Sequence, residues 1–218
     1  MNNLDFVVKD SNLYGNGWVW PRCDKRVWKH LHHPDSVSSL EVLVKLCPQK
    51  RTVIQAGGNC GINPHYFSKY FKSVYTFEPD HTNFFCLSNN VPNKNVYKFQ
   101  AALGEETTGV FLEEVKGNIG GYKVLGTGDI PQIVLDSLNI KNVDLMQIDV
   151  EGFEGYVING AIKTITKFKP VIMLETKSKN ADHSIWSKSK LDELMKSIGY
   201  DIYSESSRLD TIYIPGKK

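Results

Sequence analysis

The sequence predicts an α/β fold, a doubly wound and mostly parallel sheet that ends in an antiparallel C-terminal hairpin. Three observations predict it. Short apolar runs at 52–56, 73–77, 96–101, 143–150 and 171–176 are separated, with one exception, by helix-like segments, and strands joined through helices run parallel. The first run, ending Val53-Ile54-Gln55-Ala56, opens into a glycine-rich turn, Gly57-Gly58-Asn59-Cys60-Gly61, with a helix pattern behind it. The last two runs, 201–203 and 211–214, are close enough to pair with each other as a hairpin.

Residues 1–34 follow neither period. They are crowded with aromatic and basic side chains: Tyr14, Trp18, Trp20, Arg22, Lys25, Arg26, Trp28, Lys29, His30, His32 and His33. This segment reads as a cap that packs its tryptophans on the main domain, or as a lid that offers ring faces and cations to a substrate. The main domain then occupies 35–218. Its first helix covers 35–46, where Val37, Leu40, Val44 and Cys47 share a stripe and Pro48 ends the pattern. Ser38 and Glu41 have capping-box spacing.

After the glycine turn, Asn63 is placed to cap and Pro64 to take the first helical position. Ile62, Tyr66, Phe67, Tyr70 and Phe71 carry that helix to about residue 71. The second strand ends at Glu78-Pro79-Asp80, and the next helix carries Phe84, Phe85 and Leu87. The exception to the rhythm is 107–128. Val110 and Leu112, then Tyr122 and Val124, suggest two strands around the glycine-rich 117–121, a β insertion. Asp136 is read as organising its own turn. Val157, Ala161 and Ile165 mark a helix closed by Pro170, and His183 falls in a polar loop after the fifth strand. Leu191, Leu194, Met195 and Ile198 mark another helix, with Gly199 where a C′ glycine belongs.

A chain of 218 residues can bury one substantial core. Its 26 basic and 24 acidic residues nearly cancel, so charge alone makes no case for nucleic acid or a membrane surface as partner. Cys23, Cys47, Cys60 and Cys86 form no C-x-x-C pair and no disulfide framework, which fits a reducing compartment. The N-terminus has no apolar stretch of signal-peptide type, and no run approaches the ~20 apolar residues of a membrane helix. A soluble, cytoplasmic protein is expected.

Chemistry-bearing residues gather at the ends of successive strands. The glycine turn follows the first, Glu78 ends the second, and Asp149 with Glu151 ends the fourth. In an open doubly wound sheet those ends line the ligand crevice. Glu78 lies 20 residues beyond Gly58, a spacing that suits a carboxylate on a ribose diol. The turn lacks the G-x-G-x-x-G spacing that cradles a dinucleotide pyrophosphate. S-adenosylmethionine, which has no phosphate and needs only close backbone approach, fits better. Glu154 opens a helix, where an acid complements the dipole. Glu175 lies in an apolar strand, where an unpaired carboxylate is costly, so it should face the cleft or pair with a cation.

Gln55-Ala56-Gly57-Gly58-Asn59-Cys60-Gly61, Phe77-Glu78-Pro79-Asp80, Ala101-Ala102-Leu103-Gly104, Leu135-Asp136-Ser137-Leu138, Ile148-Asp149-Val150-Glu151-Gly152-Phe153-Glu154 and Pro170-Val171-Ile172-Met173-Leu174-Glu175 occur in that order. Together they resemble the motifs of the FkbM-type S-adenosylmethionine-dependent methyltransferases over roughly residues 50–177. The resemblance implies a Rossmann-like, class I methyltransferase fold and S-adenosyl-L-methionine as cofactor. It implies that Gly57, Gly58 and Asn59 lie against the methionine moiety, that Glu78, followed by Pro79, holds the ribose, that Gln100 and Ala101 border the adenine, and that Asp149 sits near the sulfonium. Two positions depart from the family's pattern. Gln55 replaces an acid that helps to hold the cofactor ammonium, directly or through the loop, and Gln147 stands where a lysine is common.

The expected reaction is methyl transfer to a hydroxyl of a sugar, glycan or small molecule. Asp149, Glu151 and Glu175 are the candidates to orient that hydroxyl or take its proton. His183 is a weaker candidate base. No dedicated metal cluster is read, although Asp149, Glu151 and Glu175 could gather an ion. One alternative acceptor is an RNA ribose 2′-hydroxyl, with Asp149, Lys177, and Glu205 or Asp210 as the reacting set and the N-terminal segment as the RNA grip. The other alternative is a cofactor-binding subunit without catalysis, suggested by Gln55.

Overall fold

The computed structural model describes residues 6–24, 31–32, 35–113, 123–176, 186–205 and 210–216. Lys25, Arg26, Trp28, Lys29, His30, His33, the turn 117–121, Tyr122, Lys177 and His183 lie outside the described residues, as does the side chain of Glu205.

A two-stranded hairpin opens the chain, β1 (Phe6–Ser11) against β2 (Gly15–Pro21). Helix α1 (Asp35–Leu46) leads to β3 (Thr52–Ala56), α2 (Ile62–Ser68), β4 (Ser73–Phe77), α3 (His81–Asn90) and β5 (Val96–Phe99). Strands β6 (Ala102–Gly104), β7 (Gly109–Glu113) and β8 (Lys123–Val134) follow, with a 3-10 turn at Leu135–Leu138. The second half is β9 (Val143–Ile148), α4 (Glu154–Asn159), α5 (Ile162–Phe168), β10 (Val171–Glu175), α6 (Lys188–Ser197), β11 (Tyr200–Glu205) and β12 (Asp210–Pro215).

The central sheet has seven strands in the order β11-β12-β10-β9-β3-β4-β5. All pairings from β10 to β5 are parallel, and β12 is antiparallel to both β10 and β11. The expected doubly wound sheet and antiparallel hairpin are therefore present. Its order reverses at β3 and β9, which puts a crevice at the C-terminal ends of these two strands.

Alternation along β3 shows why both faces are covered. Val53 joins a core with Leu43 of α1, Phe67 of α2, Leu87 of α3 and the hairpin tryptophans Trp18 and Trp20. Ile54, one residue on, joins the opposite core with Val157 and Ile158 of α4, Ile165 of α5, and Leu191 and Met195 of α6. Successive strand residues point to opposite faces, so a strand buried on both faces is mostly apolar, and the polar residues that β3 buries, Thr52 and Gln55, are hydrogen-bonded. The hairpin is pinned to this frame by Asn90. Its amide oxygen accepts the Val19 N–H at 2.7 Å, and its amide nitrogen donates to the carbonyls of Val19 and Cys60, both at 2.8 Å.

Several local expectations are corrected. Ser38 and Glu41 lie inside α1, so neither can form the first-turn cap. Gly61, at φ 100°, precedes α2 without a side-chain cap, and the Asn63 amide instead donates to Gln147 Oε1 at 3.3 Å. Helix α2 stops at Ser68, three residues early. The third strand ends at Phe99, after which the chain leaves the main sheet for a three-stranded one of order β6-β8-β7. The helix expected through Val157 and Ile165 is two helices. At the junction, Gly160 packs so closely on β6 that a Cβ there would lie 1.9 Å from the Gly104 carbonyl oxygen. Asp136 does not serve its own turn. Its carboxylate accepts the backbone N–H groups of Lys163 and Thr164, at 2.9 and 2.8 Å, and so caps α5 from outside.

Candidate active site

The glycine turn is built by contacts among three strand ends. The Gly57 and Gly58 N–H groups both donate to the Phe77 carbonyl, at 2.9 and 3.0 Å. The Asp149 N–H donates to the Ala56 carbonyl at 3.1 Å. Gly57 has φ +84°, and a Cβ there would fall 1.9 Å from the Asp149 carbonyl oxygen. Only glycine permits β3, β4 and β9 to end this close together. Gly57 and Gly58 also line the cavity at these strand ends.

Gln55 sits beneath this turn, fully buried. Its amide nitrogen donates to the Gly57 carbonyl at 2.8 Å, and its amide oxygen accepts the Thr76 hydroxyl. Gln55 therefore does not reach the crevice. It holds the turn from below, as a neutral group that needs both a donor and an acceptor.

Glu78 joins the second strand end to the turn. One carboxylate oxygen accepts the Asn59 N–H at 2.6 Å and the other the Asp80 N–H at 2.9 Å. Asp80, not Glu78, caps α3, by accepting the Asn83 N–H. Burial pushes the Glu78 carboxyl up to about 7, outweighing the two backbone donors that favour its charged form. A ligand hydroxyl pair would add further donors to the same oxygens.

The turn after β9 is bent more sharply. Glu151 has φ 56°, a left-handed conformation rare for a side chain of its kind, and Gly152 follows at φ 102°. Glu154, the first residue of α4, holds the bend by accepting the N–H groups of Val150 and Gly152 at 3.2 and 3.1 Å. Its role is to shape this loop, in addition to any dipole effect. Burial raises its pKa to about 7. The bend brings carboxylate oxygens of Asp149, Glu151 and Glu175 within 4.8 Å of one another. Glu175 is driven up to about 10, first by burial, then by the charges of Asp149 and Glu154. It is protonated at neutral pH. Three hard oxygen donors at this spacing could also hold a divalent cation.

These elements enclose a cavity of about 300 Å³ at the strand ends. Gly57, Gly58, Asn59, Glu78, Pro79, Ala101, Asp149 and Glu151 line it. Gln55 and Glu175 support that wall from behind. Gln100 is exposed and off the wall, because β5 stops before it. Trp20, Asp24, Ser39, Asn63 and Gln147 line the cavity without having been assigned to the site from sequence. Gln147 carried a readable signal, since it lies two residues before Asp149 and so on the same face of β9. Trp20 belongs to the aromatic segment read as a cap or a substrate lid, whereas Ser39 of α1, Asn63 of α2 and Asp24, just after the hairpin, had no signal of a site role. The N-terminal segment contributes both packing and cavity wall: Trp20 is buried and lines the cavity, and its indole N–H donates to Asp24 at 2.9 Å.

The residues present suit S-adenosylmethionine. The backbone at Gly57 and Gly58, the Glu78 carboxylate at the end of the second strand, and Ala101 with Phe77 line one cavity, a set of groups that matches an amino-acid part, a ribose and a base.

The Methyltransferase FkbM domain family matches residues 55–202, more than half of the chain. Among solved structures, methyltransferase FkbM from Methylobacillus flagellatus KT is similar at 18% identity and TM-score 0.54, over 76% of this chain and 44% of that one. The chain thus spans less than half of that protein's length. A protein from Klebsiella pneumoniae described as a candidate O-methyltransferase is similar at 12% identity and TM-score 0.55, over 84% and 81%. A candidate methyltransferase from Streptococcus mutans, solved in complex with SAH, is similar at 11% identity and TM-score 0.51, over 83% and 96%. These likenesses are of fold. No curated protein sequence matches the chain.

Proposed function

The chain belongs to the FkbM methyltransferase family, and we propose that it methylates a hydroxyl of a sugar, glycan or other small polyhydroxylated molecule, with S-adenosyl-L-methionine as methyl donor. One observation carries the reading. The Glu78–Asn59 link, the Gly57 backbone and the Asp149 and Glu151 carboxylates all face one cavity at the switch point of the sheet, with Glu175 beside Asp149 and Glu151.

The cofactor, when bound, supplies a methyl group on a positively charged sulfur, already activated for in-line displacement. The chain's own task is to hold and orient. Gly57, Gly58 and Asn59 would contact the amino-acid part, Glu78 the ribose hydroxyls, and Ala101 the adenine edge. Gln55 acts on the cofactor only through the turn. Asp149 and Glu151 stand where they can accept the acceptor's hydroxyl hydrogen bond and orient its oxygen. Glu175 keeps its proton and hydrogen-bonds Asp149, which fixes that carboxylate's direction. Ser39, Asn63 and Gln147 add hydroxyl and amide groups, and Trp20 a ring, a lining suited to an acceptor with several hydroxyls. The hairpin that supplies Trp20 is thereby read as part of the acceptor wall. Cytoplasmic location belongs to the same reading; among the described residues no helix is long and apolar enough to cross a membrane.

Calorimetry with S-adenosylmethionine and S-adenosylhomocysteine tests the cofactor, and Glu78→Ala should lower affinity at least tenfold. Transfer of labelled methyl across a panel of saccharides, small alcohols and RNA tests the acceptor. Transfer to saccharides supports the reading. Transfer to RNA alone moves the acceptor to a ribose 2′-hydroxyl, and tight cofactor binding with no transfer favours a non-catalytic subunit.

A further inference from the structure

A second cavity, of about 460 Å³, opens at the opposite end of the sheet. It lies at the N-terminal ends of β3 and β4, where Thr52 and Ser73 begin those strands, and about 16 Å from the crevice, the length of five strand residues. Its origin is in the chain order. Between β5 and β9 the described residues form β6, β7, β8 and a 3-10 turn, and no α-helix. Parallel sheets normally carry a crossover helix over each such step. Among the described residues, this step brings no helix over the sheet face at β4 and β5.

What stands on that face is a stack of rings. Tyr75 lies 4.7 Å from Tyr97 and 6.4 Å from Phe99, and Phe99 lies 4.8 Å from Phe77, all near parallel. Tyr97 is 46% exposed. Tyr75 and Phe99 form one wall of the cavity, and Leu138 and Ile140 contribute apolar surface to it. The rim is basic. Arg51, Lys72 and Lys141 line the cavity, and no carboxylate does. Arg51 is already matched by Asp144, which it grips through Nε and Nη2 at 2.6–3.1 Å. Lys72 and Lys141 are exposed, and their charge has no such counterpart on the cavity wall. Ser73, Asn139 and Asn142 add hydrogen-bonding groups.

We infer that this cavity is a second ligand site, independent of the methyl-transfer crevice, that takes a nucleoside phosphate with its base against Tyr75 and Phe99 and its phosphate on Lys72 and Lys141. An aromatic wall with a cationic rim matches the two halves of a nucleotide, a flat π-face and an anion. A free mononucleotide and one unit of a single-stranded RNA share this chemistry.

The test measures binding to the full chain with S-adenosylhomocysteine present in excess, so that the crevice is occupied. The probes are AMP, adenosine, inorganic phosphate and a labelled ten-residue oligo(A) RNA. The variants are Lys72→Glu/Lys141→Glu, which changes only exposed residues, and Tyr75→Leu. AMP should bind more tightly than adenosine or phosphate, and the double charge reversal should weaken it at least tenfold. Oligo(A) binding tighter than AMP, with the same loss, identifies an RNA strand as the source; equal or weaker binding identifies the free nucleotide. No AMP binding to the unmodified protein, or binding unchanged in the double variant, overturns the inference. Glu78→Ala should leave AMP binding intact, so failure here and failure of the methyl-transfer reading are separate results.

Discussion

Glu78 Oε2 accepts the Asn59 backbone N–H at 2.6 Å, and through that one bond the end of β4 positions the loop that leaves β3. The partner atom is backbone, so no side chain at position 59 is needed for it. The carboxylate that is proposed to meet the cofactor is also the brace of the loop beneath the cofactor.

That double duty has a pH signature. Glu78 and Glu154 are both buried and both raised from 4.5 to about 7. In the unfolded chain they ionise first, near 4.5. Between 4.5 and 7 the native protein therefore holds more protons than the unfolded one. Stability from these groups is complete below about 4.5 and is lost as pH rises through 7. Urea denaturation without cofactor should show a decline on the order of 1–3 kcal/mol per group from pH 5 to pH 8. Glu154→Gln should flatten part of that decline, and an unchanged slope would count against the assignment.

Gln55→Glu places an acceptor opposite the Gly57 carbonyl, where the amide now donates. At pH 8 the variant should lose about 1–3 kcal/mol of stability and bind S-adenosylmethionine more weakly. At pH 5 a protonated carboxyl can donate again, and much of the loss should be recovered. Calorimetry at the two pH values checks this; equal affinity at both would remove Gln55 from the turn's support.

Asp149→Asn keeps the shape of the cluster and removes the carboxylate proposed to orient the acceptor hydroxyl. Turnover should fall roughly 10²–10⁴-fold with cofactor affinity changed little. Glu175→Gln, which still supplies a donor, should be the milder variant. A larger loss in Glu175→Gln than in Asp149→Asn would reverse their roles.

Asn90→Ala removes three hydrogen bonds that join the hairpin, α3 and the Cys60 carbonyl. The expected cost is about 1–3 kcal/mol, with faster proteolysis within residues 6–24 while the sheet domain persists. Cofactor affinity should drop as well, because Cys60 belongs to the turn.

Much of this was legible in the sequence. The apolar strands announced themselves because a strand covered on both faces is mostly apolar, and Val53 and Ile54 point into opposite cores. Gly57 was legible because few side chains tolerate its backbone. Glu78, Asp149 and Glu151 were legible because strand ends converge in any open parallel sheet. Asn63 was misread as a cap for an equally local reason: an asparagine before a proline has the right composition for one. Its bond to Gln147, 84 residues away, has no trace in the local pattern.

The sequence by itself determined the alternation of strand and helix, the hairpin at the end, the family, and the carboxylates at the strand ends. Each follows from a local period or a motif in which neighbours along the chain constrain one another. Tertiary structure alone decided that Gln55 holds the turn from beneath, that Asp136 caps a helix it does not belong to, and that Glu175 keeps its proton beside Asp149. It alone joined Trp20 to the crevice and set Tyr75 and Phe99 in the wall of a second cavity at the other end of the sheet. Those facts depend on burial and on the meeting of distant segments, which residue order does not encode locally.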